Sequence, residues 1–215
     1  MPVGRSLPQE ARHEGPGLWG RDKTMASMKL FHTGFEEIRK PDIHRGRANA
    51  DFGQGFYLSP DEAFSRRWAR FRKGQDTWLN VYCLETEGLA VKILKRDETW
   101  FDYIFHNRAG YKDSLAAYDV IIGPIANDTI YDTWGITTSG LLKPADALQL
   151  LSVGPEYTQA VLKTDRAADR LRFVSAHIIP ESEISGYGKA LRQEEEDYQN
   201  SISEIIREIT ERMEE

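Results

Sequence analysis

The chain has 215 residues, 40% of them apolar and 29% charged, enough for one ordinary soluble domain with its own core. Its formal charge of −6 is uneven: residues 181–215 hold 11 acids and 4 bases, leaving 24 bases and 23 acids in residues 1–180. A nearly neutral body excludes a general nucleic-acid binder with a broadly basic face, and Cys83, the only cysteine, excludes an internal disulfide framework or a cysteine-built zinc site.

Residues 1–27, rich in Gly, Pro and scattered charge, lack any hydrophobic period and read as a disordered leader or an over-read upstream of Met25 or Met28. No charged-then-apolar signal pattern opens the chain and no apolar run nears the roughly 20 residues that span a bilayer, so the expectation is a cytoplasmic protein without membrane contact. "KLFHTG" (29–34) reads as a short strand closed by glycine, and "PDIHRGRANADFGQG" (41–55) as a long polar loop of the functional kind. "GFYLS" (55–59) is the next strand. "SPDE" then places Ser59 as N-cap, Pro60 at the first helical position and Glu62 at N3, predicting a helix to about Arg72. Phe64, Trp68 and Phe71 would form its buried face.

"TWLNVYCLE" (77–85) and "LAVKIL" (89–94) read as strands, with Cys83 as a small buried apolar residue. "DETWFDYIFHNRAG" (97–110) is helical, with Trp100, Phe101, Ile104 and Phe105 on one side. "YDVIIGP" (118–124) is a buried strand, while "IANDTIYDTW" (125–134) and "KPADALQLL" (143–151) look helical. "YTQAVLKT" (157–164) and "LRFVSAHII" (171–179) are strands around the short helix "DRAADR". Short strands interspersed irregularly with helices fit an α+β domain better than a doubly wound sheet. Residues 181–215 form an acidic helix whose seam, Tyr198, Ile202, Ile205, Ile209 and Met213, is too short to establish a coiled coil. It reads as a helix folded back on the body, with a partner-binding arm as the alternative.

The chain lacks a P-loop, a G-x-S-x-G elbow, a paired-histidine zinc motif and a Rossmann glycine series, and its histidines are scattered singly. What remains is "LFHTG" followed about twenty residues later by "DFGQGFYLSPDEAFSRRWA". This order resembles the ADP-ribosyltransferase superfamily of the histidine–tyrosine type, which includes diphtheria toxin and the poly(ADP-ribose) polymerases. It is similar above all to a bacterial family of unknown function grouped with those enzymes. The likeness extends through "YDVIIGPIANDTIYDTW" and "YTQAVLKTDRAADRLRFV", covering roughly residues 28–180. It implies a split β-sheet core with flanking helices, to which the helix of residues 181–215 is an addition.

The resemblance implies NAD as substrate and the following roles. His32 holds a ribose hydroxyl, and the main chain at Thr33 and Gly34 meets the nicotinamide carboxamide, which needs a donor and an acceptor on one strand edge. Gly34 allows close approach. Tyr57 stacks on the nicotinamide ring, while Phe52, Gly53 and Gly55 shape the loop beside the cofactor. Arg45 and Arg47 are candidates for the pyrophosphate. Taken singly, each has a plainer reading: a strand histidine, a core tyrosine, a glycine bulge, solvated arginines.

Where the superfamily usually places a glutamate that stabilises the oxocarbenium charge, this sequence has Gln159. Glu156 and Asp128 stand in reserve as carboxylates. Asn127 beside Asp128 is equally readable as a helix N-cap, and Gln159 as a polar residue on a solvated strand face. The implied activity is mono-ADP-ribosyl transfer by a bacterial toxin or effector to an unknown macromolecule, with a neutralising antitoxin protein as possible partner. The rivals are a non-catalytic NAD-binding or protein-interaction module and an RNA 2′-phosphotransferase.

Overall fold

"SMKLFHTG" alternates apolar and polar residues, and in the computed structural model it forms strand β1 (Ser27–Gly34), with Met28 and Leu30 buried. The structure describes residues 27–126, 144–154 and 156–214. After a 3-10 turn at Ile43–Arg45 come β2 (Phe56–Leu58), α1 (Glu62–Arg67), β3 (Trp78–Glu85), β4 (Val91–Ile93), α2 (Glu98–Arg108) and β5 (Val120–Pro124). They are followed by α3 (Pro144–Leu151), β6 (Thr158–Leu162), α4 (Asp165–Asp169), β7 (Leu171–Ile178) and α5 (Glu181–Glu214).

The strands form two sheets, as expected for an α+β chain. One is antiparallel in the order β1-β3-β7; the other runs β2-β6-β5-β4, with only β4 and β5 parallel. A bridge ties the sheets together: Phe31 N–H donates to Ser59 O at 2.8 Å and Ser59 N–H returns to Phe31 O at 2.9 Å. This junction sets the site, because it brings the end of β1 beside the end of β2.

The same junction moves the start of α1. Ser59 is occupied as a strand residue, its hydroxyl donating to Thr158 O at 2.8 Å, so it does not cap the helix. Asp61 caps instead, accepting from Phe64 N–H at 3.0 Å, a contact of about 1 kcal/mol. The helix ends at Arg67 rather than near Arg72. Phe64 is buried, but Trp68 and Phe71 are 50% and 60% exposed, so the three do not share a buried face.

Helix α2 buries Trp100, Phe101, Tyr103, Ile104 and Asn107, and Trp100 Nε1–H donates to Pro124 O at 2.8 Å. Cys83 is half-buried rather than buried. Helix α5 folds back on the body: Tyr198, Ile202 and Ile209 join the cluster that holds Trp100, Ile121 and Leu150. Arg66 and Arg67 of α1 add ion pairs to its Glu183 and Glu194. Tyr198, Ile202 and Ile209 of the seam are therefore spent on the body's own core. The expected helix over residues 125–134 lies largely outside the described residues, as do Asn127 and Asp128. Among the described residues no helix is long and apolar enough to cross a membrane.

Candidate active site

A cavity of about 350 Å³ opens where β1, β2 and α1 meet, a size typical of small-molecule sites. His32 and Tyr57, on the ends of two different sheets, both line it. His32 Nδ1 lies 2.8 Å from Tyr57 O. A carbonyl only accepts, so Nδ1 carries the proton and Nε2 of the neutral ring is left as an acceptor. Burial lowers the His32 pKa from its ordinary value, outweighing the opposing pull of that backbone hydrogen bond. The ring also packs on Phe56, with centroids 4.7 Å apart.

Tyr57 is fixed at its far end. Its hydroxyl donates to Gly53 O at 2.7 Å and accepts from Phe52 N–H at 3.0 Å. Burial drives its pKa well above the ordinary tyrosine value, so it stays a neutral phenol. Held by the hydroxyl, the ring borders the cavity as a fixed aromatic wall.

Thr33 also lines the cavity, its hydroxyl anchored to Ser65 O of α1 at 2.6 Å. Strand alternation decides what its main chain offers. Phe31 turns its N–H and C=O outward to Ser59, so two residues on Thr33 turns its own pair to the same edge, just past the bridge. Gly34 faces the opposite way, toward Trp78 of β3. Of the two residues named for a carboxamide contact, Thr33 is the one that presents a donor and an acceptor at the cavity.

The third wall holds a carboxylate that the sequence reading missed. Asp51, 7% exposed, lines the cavity beside Gln159, which is 6% exposed. Asp51 Oδ1 accepts from Arg108 Nε–H at 2.7 Å and pairs with Nη2 at 2.5 Å. Its Oδ2 accepts from Ala126 N–H at 3.2 Å and from Gln159 Nε2 at 3.4 Å. The carboxylate accepts only, so the Gln159 amide nitrogen faces it and the oxygen is the atom left to accept from elsewhere. Gln159 is thus buried, not on a solvated strand face. Glu156, the reserve carboxylate, does not line the cavity; it is 56% exposed at its side chain and lies 3.9 Å from Arg96.

Several expected contacts fall elsewhere. Phe52 is fully buried and packs on Tyr103 at 5.8 Å, because its carbonyl is drawn down to Lys163 and Tyr103. Gly53 has a φ of +70°, where a Cβ would lie 2.9 Å from Lys163 Nζ, so it serves that buried turn. Gly55 is pressed against β6: a Cβ there would come within 2.5 Å of Leu162 O. Arg45, in the 3-10 turn, is exposed and does not reach the cavity, whereas Arg47 lines it.

Phe64 and Trp68 complete the apolar lining, with their rings edge to face at 6.0 Å. The only sequence signal for Asp51 is its place in the long polar loop, two residues before Gly53. None existed for Arg108, which reaches the site from the end of a helix 57 residues away.

The profile of the family described as "Protein of unknown function (DUF3990)" matches residues 28–173, about two thirds of the chain. The chain belongs to this family. The DUF3990 match takes in His32, Asp51, Tyr57, Arg108 and Gln159, and stops short of α5. No curated protein matches the chain significantly. Among the described residues no group of His, Cys, Asp and Glu is arranged to hold a metal ion.

Proposed function

We propose that this DUF3990 domain binds NAD in the His32–Tyr57 cavity and transfers its ADP-ribose to a macromolecular acceptor. The observation that carries the reading is one cavity walled by a neutral imidazole, an anchored phenol ring and a strand edge whose Thr33 main chain has no backbone partner beyond its own sheet among the described residues. The three answer the parts of a nicotinamide riboside. The Thr33 N–H and C=O meet the carboxamide, Tyr57 covers the cationic ring, and His32 Nε2 accepts from a ribose hydroxyl.

The reaction breaks the bond between ribose C1′ and the nicotinamide nitrogen. The bonding pair leaves with nicotinamide and neutralises its pyridinium charge, so positive charge builds on the ribose. A nucleophile of the acceptor then bonds to C1′ and gives up its proton. Asp51 brings the negative charge that Gln159 lacks, while Gln159, oriented by Asp51, accepts from a sugar hydroxyl. A bacterial toxin or effector restrained by an antitoxin protein, and working in the cytoplasm, is the setting that the sequence resemblance supports.

Nicotinamide release, followed by chromatography, tests the reading. Wild type is expected to release it, Tyr57→Phe to keep most of the rate, and Tyr57→Ala to lose it to background. Tyr57→Phe orphans Phe52 N–H and Gly53 O, so it should also lower stability by about 1–3 kcal/mol, read from its thermal midpoint. Equal background release by wild type and Tyr57→Ala refutes an enzyme.

The pairing of Asp51 with Arg108 favours one second reading, a domain that binds NAD without turning it over. Saturable NAD binding with no nicotinamide release selects it.

The lowered His32 pKa fixes the sign of a pH effect. The imidazole is neutral at and above its ordinary 6.5 and stays so somewhat below it. NAD affinity is therefore expected to hold steady from about pH 8 to about 6.5 and to fall only at lower pH. Stability has the same sign, because the unfolded chain takes up the proton first. Calorimetric titration of wild type against His32→Gln measures this; a His32-dependent fall centred above 6.5 contradicts it.

A further inference from the structure

The acceptor side of this cavity carries its own chemistry. Residues 63–75, "AFSRRWARFRKGQ", contain five cations and no acid. Arg66 and Arg67 are committed to Glu62, Glu183 and Glu194. Arg70, Arg72 and Lys73 are exposed and have no acidic partner within 4.0 Å among the described residues. They alternate with the two large aromatics that α1 fails to bury, Trp68 and Phe71, 50% and 60% exposed. Trp68 lines the cavity, so this strip begins at the site itself.

The strip is held in shape. Arg70 Nη1 donates to Arg67 O at 3.0 Å and to Ala69 O at 3.1 Å, placing its guanidinium 5.7 Å from the Trp68 ring. Arg72 pairs with Gln75 in a short bridge that turns at Gly74, and its guanidinium lies 5.7 Å from the Phe35 ring. Arg47 adds a further cation on the cavity wall.

We infer that the acceptor is a single-stranded nucleic acid laid along Trp68–Lys73, with one base stacked at the cavity mouth on Trp68. The inference rests on the proposed NAD reaction for its chemistry but on this surface for its substrate class. Exposed aromatic faces alternating with unpaired cations suit bases alternating with phosphates. An acidic polypeptide would use the cations and leave the aromatic faces in water. A duplex keeps its bases stacked on each other and away from Trp68 and Phe71. The nearly neutral body does not oppose this, since the strip needs only local charge.

The test uses the full chain and fluorescence anisotropy with a labelled single-stranded DNA oligonucleotide, the RNA of the same sequence, the duplex, and poly-glutamate. A single strand is expected to bind at least about tenfold tighter than duplex or poly-glutamate, with salt-sensitive affinity. The variant Phe71→Ala/Arg72→Glu/Lys73→Glu should lose at least about tenfold in affinity, and its salt slope should flatten by about 1.4, two phosphate contacts. Its nicotinamide release into water should stay at the wild-type rate, because none of the three lines the cavity. Preference for poly-glutamate or duplex, no binding at low salt, or unchanged binding by the variant overturns the inference. Binding needs no NAD, so absent nicotinamide release would defeat the enzymatic reading while leaving this surface to its own result.

Discussion

Asp51→Asn should lower nicotinamide release at saturating NAD by on the order of a hundredfold or more, the effect of removing a few kcal/mol of charge stabilisation supplied by a buried carboxylate. Gln159→Glu should also lower it, although it introduces the residue type usual at this place in the superfamily that the sequence resembles. A carboxylate at 159 would sit within hydrogen-bonding reach of Asp51 Oδ2, where Gln159 Nε2 is now 3.4 Å away. Two like charges so close hold a proton between them, and neither then serves the ribose well. Asp51→Asn/Gln159→Glu moves one charge across the contact and should recover at least about tenfold over either single change. Arg108 loses the Asp51 carboxylate in Asp51→Asn, and breaking such a buried ion pair costs about 3–5 kcal/mol. Melting curves on each variant separate that loss from a loss of turnover. A Gln159→Glu protein more active than wild type would mean that Asp51 does not supply the site's charge.

Gly55→Ala should be among the most damaging single substitutions in the fold. The added Cβ would lie 2.5 Å from Leu162 O and 2.6 Å from Val161 Cγ1. The nearest obstacle is backbone, so β2 must move away from β6, and Tyr57 moves with it. Overpacking of this kind costs about 3 kcal/mol, a fall in thermal midpoint of about 6–12 °C for a chain of this size. Gly74→Ala is the control. Its φ is +76° but nothing lies within 4 Å of the added carbon, so only the backbone penalty of about 1–2 kcal/mol applies. Differential scanning calorimetry ranks the two. Equal midpoints would show that the strands do not pack as closely at Gly55 as described.

The same glycine shows what the sequence could and could not carry. Gly55 was read as shaping the loop beside the cofactor or as a bulge, whereas what presses against it is β6. That His32 and Tyr57 line one cavity was legible, because a strand motif and a helix start fix their local order, and the bridge between Phe31 and Ser59 then brings the two strands together. That bridge also defeated a local rule. "SPDE" has the pattern of a capping box at Ser59, but tertiary pairing took Ser59 into a strand and left the cap to Asp61. The shorter helix is why Trp68 and Phe71, spaced for a buried face, stand exposed.

Asp51 was hidden for a different reason. Its role depends on Arg108 and Gln159, 57 and 108 residues away, and no local pattern encodes such a meeting. The element order was readable almost throughout, because apolar period and turn residues decide it locally. The division of strands between two sheets depends on pairings far apart in the chain.

Every role given above to His32, Thr33 and Tyr57 requires a nicotinamide riboside in the cavity between them. A crystal structure of the chain with an NAD analogue whose ribose–nicotinamide bond cannot be cleaved decides this. The nicotinamide ring is expected against Tyr57, its carboxamide on the Thr33 main chain and a ribose hydroxyl within about 3 Å of His32 Nε2. Dinucleotide bound elsewhere on the molecule, or a crystal that takes up none at saturating concentration, would contradict it.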